Sequence, residues 1–163
     1  MAQPPPHLLA ALREHRVDVE FLDPGVPMHT VRDAASAVGV DESLILKTLI
    51  FSDAEGRHVV AVASGNDRLD RGLLAAAAGL GKVRMADPET VLRLTGFPAG
   101  GVAPIGFLTP LPMLVDTRAA ALEIGYGGGG LPELLMRVRL ADVVRVNAAS
   151  VAALVAPPRP DRP

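Results

Sequence analysis

Leu44-Ile45-Leu46-Lys47-Thr48-Leu49-Ile50-Phe51 is the stretch on which the fold turns. Its nearly unbroken apolar run, rich in branched side chains, suits a strand covered on both faces. Ser52-Asp53-Ala54-Glu55-Gly56 then supplies turn residues, and Arg57 to Ala63 returns as a second β-rich run, so the two runs predict a hairpin. On its N-terminal side, Thr30 is placed to cap a helix over Val31 to Val38 that Gly39 closes, and Asp41 to cap one further turn. His7 to His15 reads as a helix and Val17 to Phe21 as a strand. Downstream, Asn66 to Leu69 is a link, and an alanine-rich helix over about Asp70 to Ala78 ends at Gly79. Lys82 to Ala86 is a short strand, and Asp87-Pro88-Glu89 opens a helix that reaches Leu94 and stops at Gly96.

Beyond a Pro/Gly segment, Met113 to Asp116 reads as a strand, Thr117 to Ala121 as a helical turn and Leu122 to Gly125 as a strand. Gly127 to Gly130 reads as a flexible hairpin loop, Leu131 to Val138 as a strand, and a terminal helix falls within Ala141 to Leu154. No fixed-period repeat and no dividing linker is present. Hairpins mixed with short helices predict a single α+β domain over residues 1–156, built around a central mixed, largely antiparallel sheet or barrel, with 157–163 as a flexible, proline-rich tail.

Composition narrows the chemistry. The 163 residues include no cysteine, which excludes a disulfide framework, a zinc knuckle and a thiol nucleophile and points to a reducing compartment, the cytoplasm. The opening Met1-Ala2-Gln3-Pro4-Pro5-Pro6 lacks the pattern of a signal peptide, and prolines break the uncharged run from Leu94 to Val115, so neither export nor membrane insertion is expected. Aromatic residues make up 3% and the net charge is −2, so an extended nucleic-acid surface of stacked rings or basic side chains is not expected either. The four histidines, His7, His15, His29 and His58, form no paired-ligand spacing, so no metal and no other cofactor is expected. A Gly-x-Ser-x-Gly elbow and a P-loop are absent; Ser64 reads as a turn serine.

Two features remain. Of the 16 basic residues only Lys47 and Lys82 are lysine, and Lys47 sits in the most apolar strand, where an ammonium is costly unless an anion or a carbonyl dipole meets it. A strand lysine that snorkels to solvent at a sheet edge is the equally weighted alternative. Gly100-Gly101-Val102-Ala103-Pro104-Ile105-Gly106 lets backbone come close to a ligand and aim N–H groups at it, though taken alone it reads first as an ordinary tight crossover between strands. Asp116, at a strand end before Thr117, reads first as a helix cap and second as a pocket residue.

Thr30-Val31-Arg32-Asp33-Ala34-Ala35, Leu46-Lys47-Thr48-Leu49, Val83 to Glu89, Thr95-Gly96-Phe97 and the Gly100 to Gly106 loop occur in an order and spacing that resembles the YbaK/EbsC family, free-standing relatives of the prolyl-tRNA synthetase editing domain. The similarity covers roughly Val17 to Leu154. It implies hydrolysis, without a metal, of the ester that joins a wrongly attached small amino acid (alanine, cysteine or serine) to the 3′ adenosine of tRNA, with the tRNA 3′ end as ligand and a synthetase as potential partner. Under that resemblance Lys47, Gly100 and Gly101 are the catalytic set: Lys47 holds the adenosine phosphate or the substrate carbonyl, and the Gly100 and Gly101 amides stabilise the tetrahedral intermediate. Thr48, Thr30, Pro104, Ile105, Gly106 and Asp116 form the expected substrate-binding set. The chain departs from the family in having no histidine after His58 and in carrying Gly127-Gly128-Gly129-Gly130-Leu131-Pro132-Glu133 where other members have a basic pair. Phosphate contacts are therefore expected to be few, from Arg68, Arg71 and Arg84, and the competing expectation is a non-catalytic module that holds an aminoacyl-adenosine-like ligand or a synthetase.

Overall fold

A computed structural model describes residues 2–26 and 28–157; most of the expected tail lies outside them. The hairpin forms as expected: β2 (Leu46–Asp53) and β3 (His58–Ser64) pair antiparallel, with Lys47 opposite Ala63 and Ser52 opposite His58. β4 (Val83–Met85) adds antiparallel to the far end of β2, opposite Phe51 to Asp53. On the other side, β5 (Met113–Asp116) and β8 (Ser150–Ala152) join in parallel, which gives a mixed five-stranded sheet ordered β4-β2-β3-β5-β8. β1 (Glu20–Leu22), β7 (Leu135–Arg139) and β6 (Ile124–Gly128) form a separate antiparallel sheet, β1-β7-β6. The architecture is α+β and mixed; the strands do not close into a barrel, and they divide between two sheets instead of sharing one. The sheets meet where Ile45 bridges Tyr126.

The apolar run around Lys47 is explained by what covers it. Leu46 and Ile50 face the main core with Val60 and Val62, Met136 and Val138 of β7, Leu8 and Leu12 of α1 (Pro6–Glu14), Val91 and Leu94 of α4 (Pro88–Thr95), and Val143 of α6 (Leu140–Asn147). Phe51 faces the opposite way with Val59 and Ala61, onto Leu74 of α3 (Arg71–Ala78) and onto Leu154. Both faces of β2 are thus buried, and alternation disappears from its sequence. Helix starts follow the capping residues: Thr30 accepts from the Asp33 N–H at the start of α2 (Val31–Val38), Asp70 from Leu73 at α3, and Asp87 from Thr90 at α4. α5 (Thr117–Ala120) is the expected helical turn.

The terminal helix expected within Ala141 to Leu154 is α6, which ends at Asn147; the chain then forms β8 beside β5, a strand the sequence reading lacks. Two local expectations are corrected. Gly127 and Gly128 belong to β6, and β7 begins only at Leu135. Glycine is required in β6 by close approach: a Cβ at Gly125 would lie 2.7 Å from the Leu46 side chain, one at Gly127 3.2 Å from the Pro104 ring, and one at Gly128 would strike the Val102 carbonyl.

Candidate active site

Among the described residues, β2 is paired along its outer edge near its two ends, with β4 at Phe51 to Asp53 and, beside Ile45, with β6. The Ala86 N–H donates to the Ile50 carbonyl at one end (2.9 Å), and Ile45 bridges Tyr126 at the other. The Asp53 N–H donates towards β3, to Arg57, and the Ile45 carbonyl accepts there from Gly65. Odd-numbered peptide groups therefore point to β3, and those of Thr48 point to the outer edge between the two attachments. This gap opens on a cavity of about 300 Å³ lined by Thr30, Lys47, Thr48, Gly100, Gly128 and Pro132, over an apolar wall that includes Ala34, Ile45, Leu134 and Leu135.

Two polar groups in this cavity are unusual. Thr48 is buried, and its Oγ1 has no hydrogen-bond partner among the described residues, a condition that costs about 1–3 kcal/mol unless a ligand or water relieves it. Lys47 is half-buried and donates from Nζ to the Asp67 carbonyl at 2.6 Å. Burial lowers its pKa from the ordinary lysine value, and the Asp67 carboxylate opposes this shift. That carboxylate also meets Arg118 Nη1 at 3.3 Å. One of the three ammonium donors is thus committed to a carbonyl, and an anion would satisfy the others.

The structure gathers Lys47, Thr48, Thr30 and Gly100 at the cavity. Thr30 reaches it from the N-cap of α2, with Oγ1 occupied by the Asp33 N–H at 3.0 Å. Gly100 has φ +87° and open space beside its Cα. The other expected residues serve the frame around the cavity. Gly101 is buried, its N–H donates to the Pro98 carbonyl at 2.9 Å, and a Cβ there would lie 2.6 Å from the Leu131 carbonyl carbon, so its amide is not free for an oxyanion in this arrangement. Pro104 is buried, and its carbonyl accepts from Asn147 Nδ2 at 2.8 Å. Ile105 is fully buried in the main core, and Gly106 (φ +93°) accepts on its carbonyl from the His7 ring at 2.8 Å. Asp116 is 1% exposed and caps two backbone groups, the N–H of Arg118 (3.1 Å) and of Leu154 (2.8 Å), which gives the helix-cap reading. Asp67 carries no signal as a site residue in the sequence, because it contributes a carbonyl, which every residue type has.

A larger cavity of about 490 Å³ lies behind the lysine tether, lined by Asp41, Glu42, Ser64, Asn66, Asp67 and Arg118. Its polar groups pair with one another: Asn66 with Glu42, Arg118 with Asp67, and Ser64 with the Ser43 carbonyl. It supports the Lys47 side chain and leaves no comparable unpaired group to face a ligand. Among the described residues no cluster of three or more histidine, cysteine, aspartate or glutamate residues could hold a metal ion.

An open strand edge, a lysine on a carbonyl tether and an unpartnered threonine hydroxyl are thus the distinctive features of this α+β domain. The chain belongs to the aminoacyl-tRNA editing domain family, whose model matches residues 26–146. It is 31% identical over 105 residues to the candidate Cys-tRNA(Pro)/Cys-tRNA(Cys) deacylase EbsC of Enterococcus faecalis, a match covering 63% of this chain and 64% of that protein. It is 31% identical over 87 residues to the proline–tRNA ligase of Trichlorobacter lovleyi, covering 53% of this chain but 15% of the ligase. A crystal structure of a candidate trans-editing enzyme for prolyl-tRNA synthetase superposes with a TM-score of 0.81 at 32% identity, over 95% of this chain and 100% of the other. No helix among the described residues is long and apolar enough to cross a membrane.

Proposed function

We propose that this domain is a trans-acting aminoacyl-tRNA deacylase, which hydrolyses the ester between a wrongly attached small amino acid, such as alanine, cysteine or serine, and the 3′ adenosine of tRNA, with tRNA-Pro the natural candidate and the cytoplasm the place. The observation that carries the reading is that Lys47, Thr48 with its unpartnered hydroxyl, and Gly100 line one cavity at the open edge of β2. An aminoacyl ester is activated already, so positioning and charge stabilisation supply most of what its hydrolysis needs. In this scheme Lys47 holds the phosphate of the terminal adenosine or the ester carbonyl. Thr48 Oγ1 and the outward-facing Thr48 peptide hold the ribose and the attacking water, or the ribose 2′-hydroxyl that acts in its place. Gly100 provides close backbone approach to the developing oxyanion. Gly101, Pro104, Ile105, Gly106 and Asp116 keep the loop and the neighbouring strand end in place.

The test is a panel of mischarged tRNAs, with ester loss timed against buffer. The wild type is expected to clear at least one small aminoacyl ester catalytically. Lys47→Ala is expected to lose about 3 kcal/mol of transition-state stabilisation, roughly a hundredfold in kcat/KM. Lys47→Arg should also be poor, because a planar fork does not replace a point charge in a confined site. Retention of every ester at stoichiometric protein would instead identify a module that binds aminoacyl-adenosine or a synthetase without catalysis.

A further inference from the structure

The Lys47 cavity has two neighbours along β2. It shares Thr48, Leu49, Gly100 and Val102 with an apolar cavity of about 290 Å³ between β2, β4 and α4. That cavity in turn shares Met85 and Ala86 with a polar one of about 430 Å³. The three follow β2 from Lys47 to Ser52, a span of about 17 Å at the usual rise of a strand.

The far end is built from a cross-strand row. Arg84 on β4 stands opposite Ser52 on β2, and Ser52 stands opposite His58 on β3, so the three side chains share one face. Ser52 Oγ and His58 Nδ1 share a hydrogen bond of 2.7 Å. Arg93 of α4 lines the same cavity. Neither Arg84 nor Arg93 is in an ion pair among the described residues; of the two carboxylates in the same cavity, Asp53 is paired with Arg57, and Asp87 feels both arginines through space. Asp53 accepts from Arg57 Nε at 2.7 Å and from the N–H groups of Glu55 and Arg57, and Asp87 accepts from the Thr90 N–H at 2.8 Å. Between the polar ends the apolar cavity is lined by Ile50, Pro88, Val91 and Ala99, with Met85 at its β4 edge.

A cation and hydroxyl, then an apolar stretch, then two guanidiniums outside any ion pair is an order of features that suits an extended single-stranded nucleic acid. Phosphates pair with arginine, and base faces lie on apolar surface. We propose that this track holds the nucleotides that precede the terminal adenosine of the RNA 3′ end, with a backbone phosphate bound by Arg84 and Arg93 and a base lying on the apolar wall of Pro88 and Ala99. The inference rests on the deacylase reading in one respect: it seats the 3′ adenosine in the Lys47 cavity.

The experiment measures binding of the full chain to a fluorescent RNA of sequence 5′-ACCA-3′ and to adenosine 5′-monophosphate, across a salt series, for the wild type and the exposed double variant Arg84→Ala/Arg93→Ala. The variant is expected to bind the RNA about tenfold more weakly, with a log–log salt slope shallower by about 0.7 for each phosphate it no longer neutralises, and to bind the mononucleotide as the wild type does. Arg93→Glu, checked by an unchanged melting curve, should weaken RNA binding further. Equal RNA affinity in wild type and variants, or a wild type that binds the RNA no better than the mononucleotide, would overturn the track. The ester panel run beside it separates the two ideas. Arginine-dependent RNA binding without hydrolysis would keep the track and remove the deacylase, and hydrolysis with arginine-independent binding would do the reverse.

Discussion

Thr48 Oγ1 is the one buried side-chain polar atom without a partner among the described residues, and a protein retains such a group at a cost. Thr48→Val keeps the shape and replaces the hydroxyl with a methyl. It should raise stability by about 1 kcal/mol, or about 2–4 °C in Tm, while lowering kcat/KM on the cleared ester. A melting curve and a rate on the same sample check this; a destabilised variant of full activity would show that the hydroxyl is satisfied by water and idle in the reaction. Lys47 is legible in the sequence because lysine is rare here and out of place in an apolar strand. Thr48 is legible only as its neighbour. Nothing in the sequence marks a hydroxyl as unpartnered, because that depends on where β4 stops and β6 begins, and both are contacts between distant segments.

At the scale of elements, the Gly100 to Gly106 loop and the glycines of β6 form one packed unit. Gly101 lies against Leu131 and Pro132, and Gly127 lies under Pro104. Gly101→Ala is expected to destabilise by about 1–3 kcal/mol, because its Cβ would press on backbone that cannot swing aside. Gly100→Ala meets open space, and its cost, about 1–2 kcal/mol, comes from φ +87° alone. Denaturant melts of the two variants, with ester hydrolysis beside them, should show activity loss beyond the stability loss at Gly100 and in proportion to it at Gly101. The helices are readable because their signals are local: a capping side chain at one end and a left-handed glycine at Gly39, Gly79 and Gly96 at the other. The four-glycine run misleads for the opposite reason. In one dimension Gly127 and Gly128 look like a flexible loop; only the segment from Val102 to Pro104 lying across them shows why a strand there lacks side chains.

For the molecule as a whole, the parallel additions β5 and β8 carry the C-terminal segment back onto the central sheet. Leu154 closes this arrangement: it is fully buried against the β2–β3–α3 side of the sheet, its N–H donates to Asp116, and its carbonyl accepts from the Asp70 N–H at 2.8 Å. Leu154→Ala should therefore cost about 2–5 kcal/mol in global unfolding, whereas Val151→Ala, in a half-exposed position of the adjoining strand, should change it by about 0.5 kcal/mol or less. Similar Tm values for the two variants would mean that the C-terminal segment is held independently of the core. The sequence carries the α+β class, through the hairpin and the capped helices, but not the division into two sheets or the strand at 150–152. Three residues beside a parallel neighbour leave no periodicity to read, and the bridge between Ile45 and Tyr126 joins positions far apart in the chain.

Scarcity of lysine also makes the tether on Asp67 chemically addressable. The only side-chain amines are those of Lys47 and Lys82, and Lys82 is exposed outside the cavity. An amine-directed acylating reagent at limiting dose, followed by peptide mass spectrometry, therefore reports on the cavity through a single adduct and carries its own internal reference. Because burial holds the Lys47 pKa below that of an ordinary lysine, acylation there should rise with pH along a curve displaced to lower pH. Adenosine 5′-monophosphate should shield Lys47 and leave Lys82 labelled; equal labelling of Lys47 with and without it would place the nucleotide elsewhere.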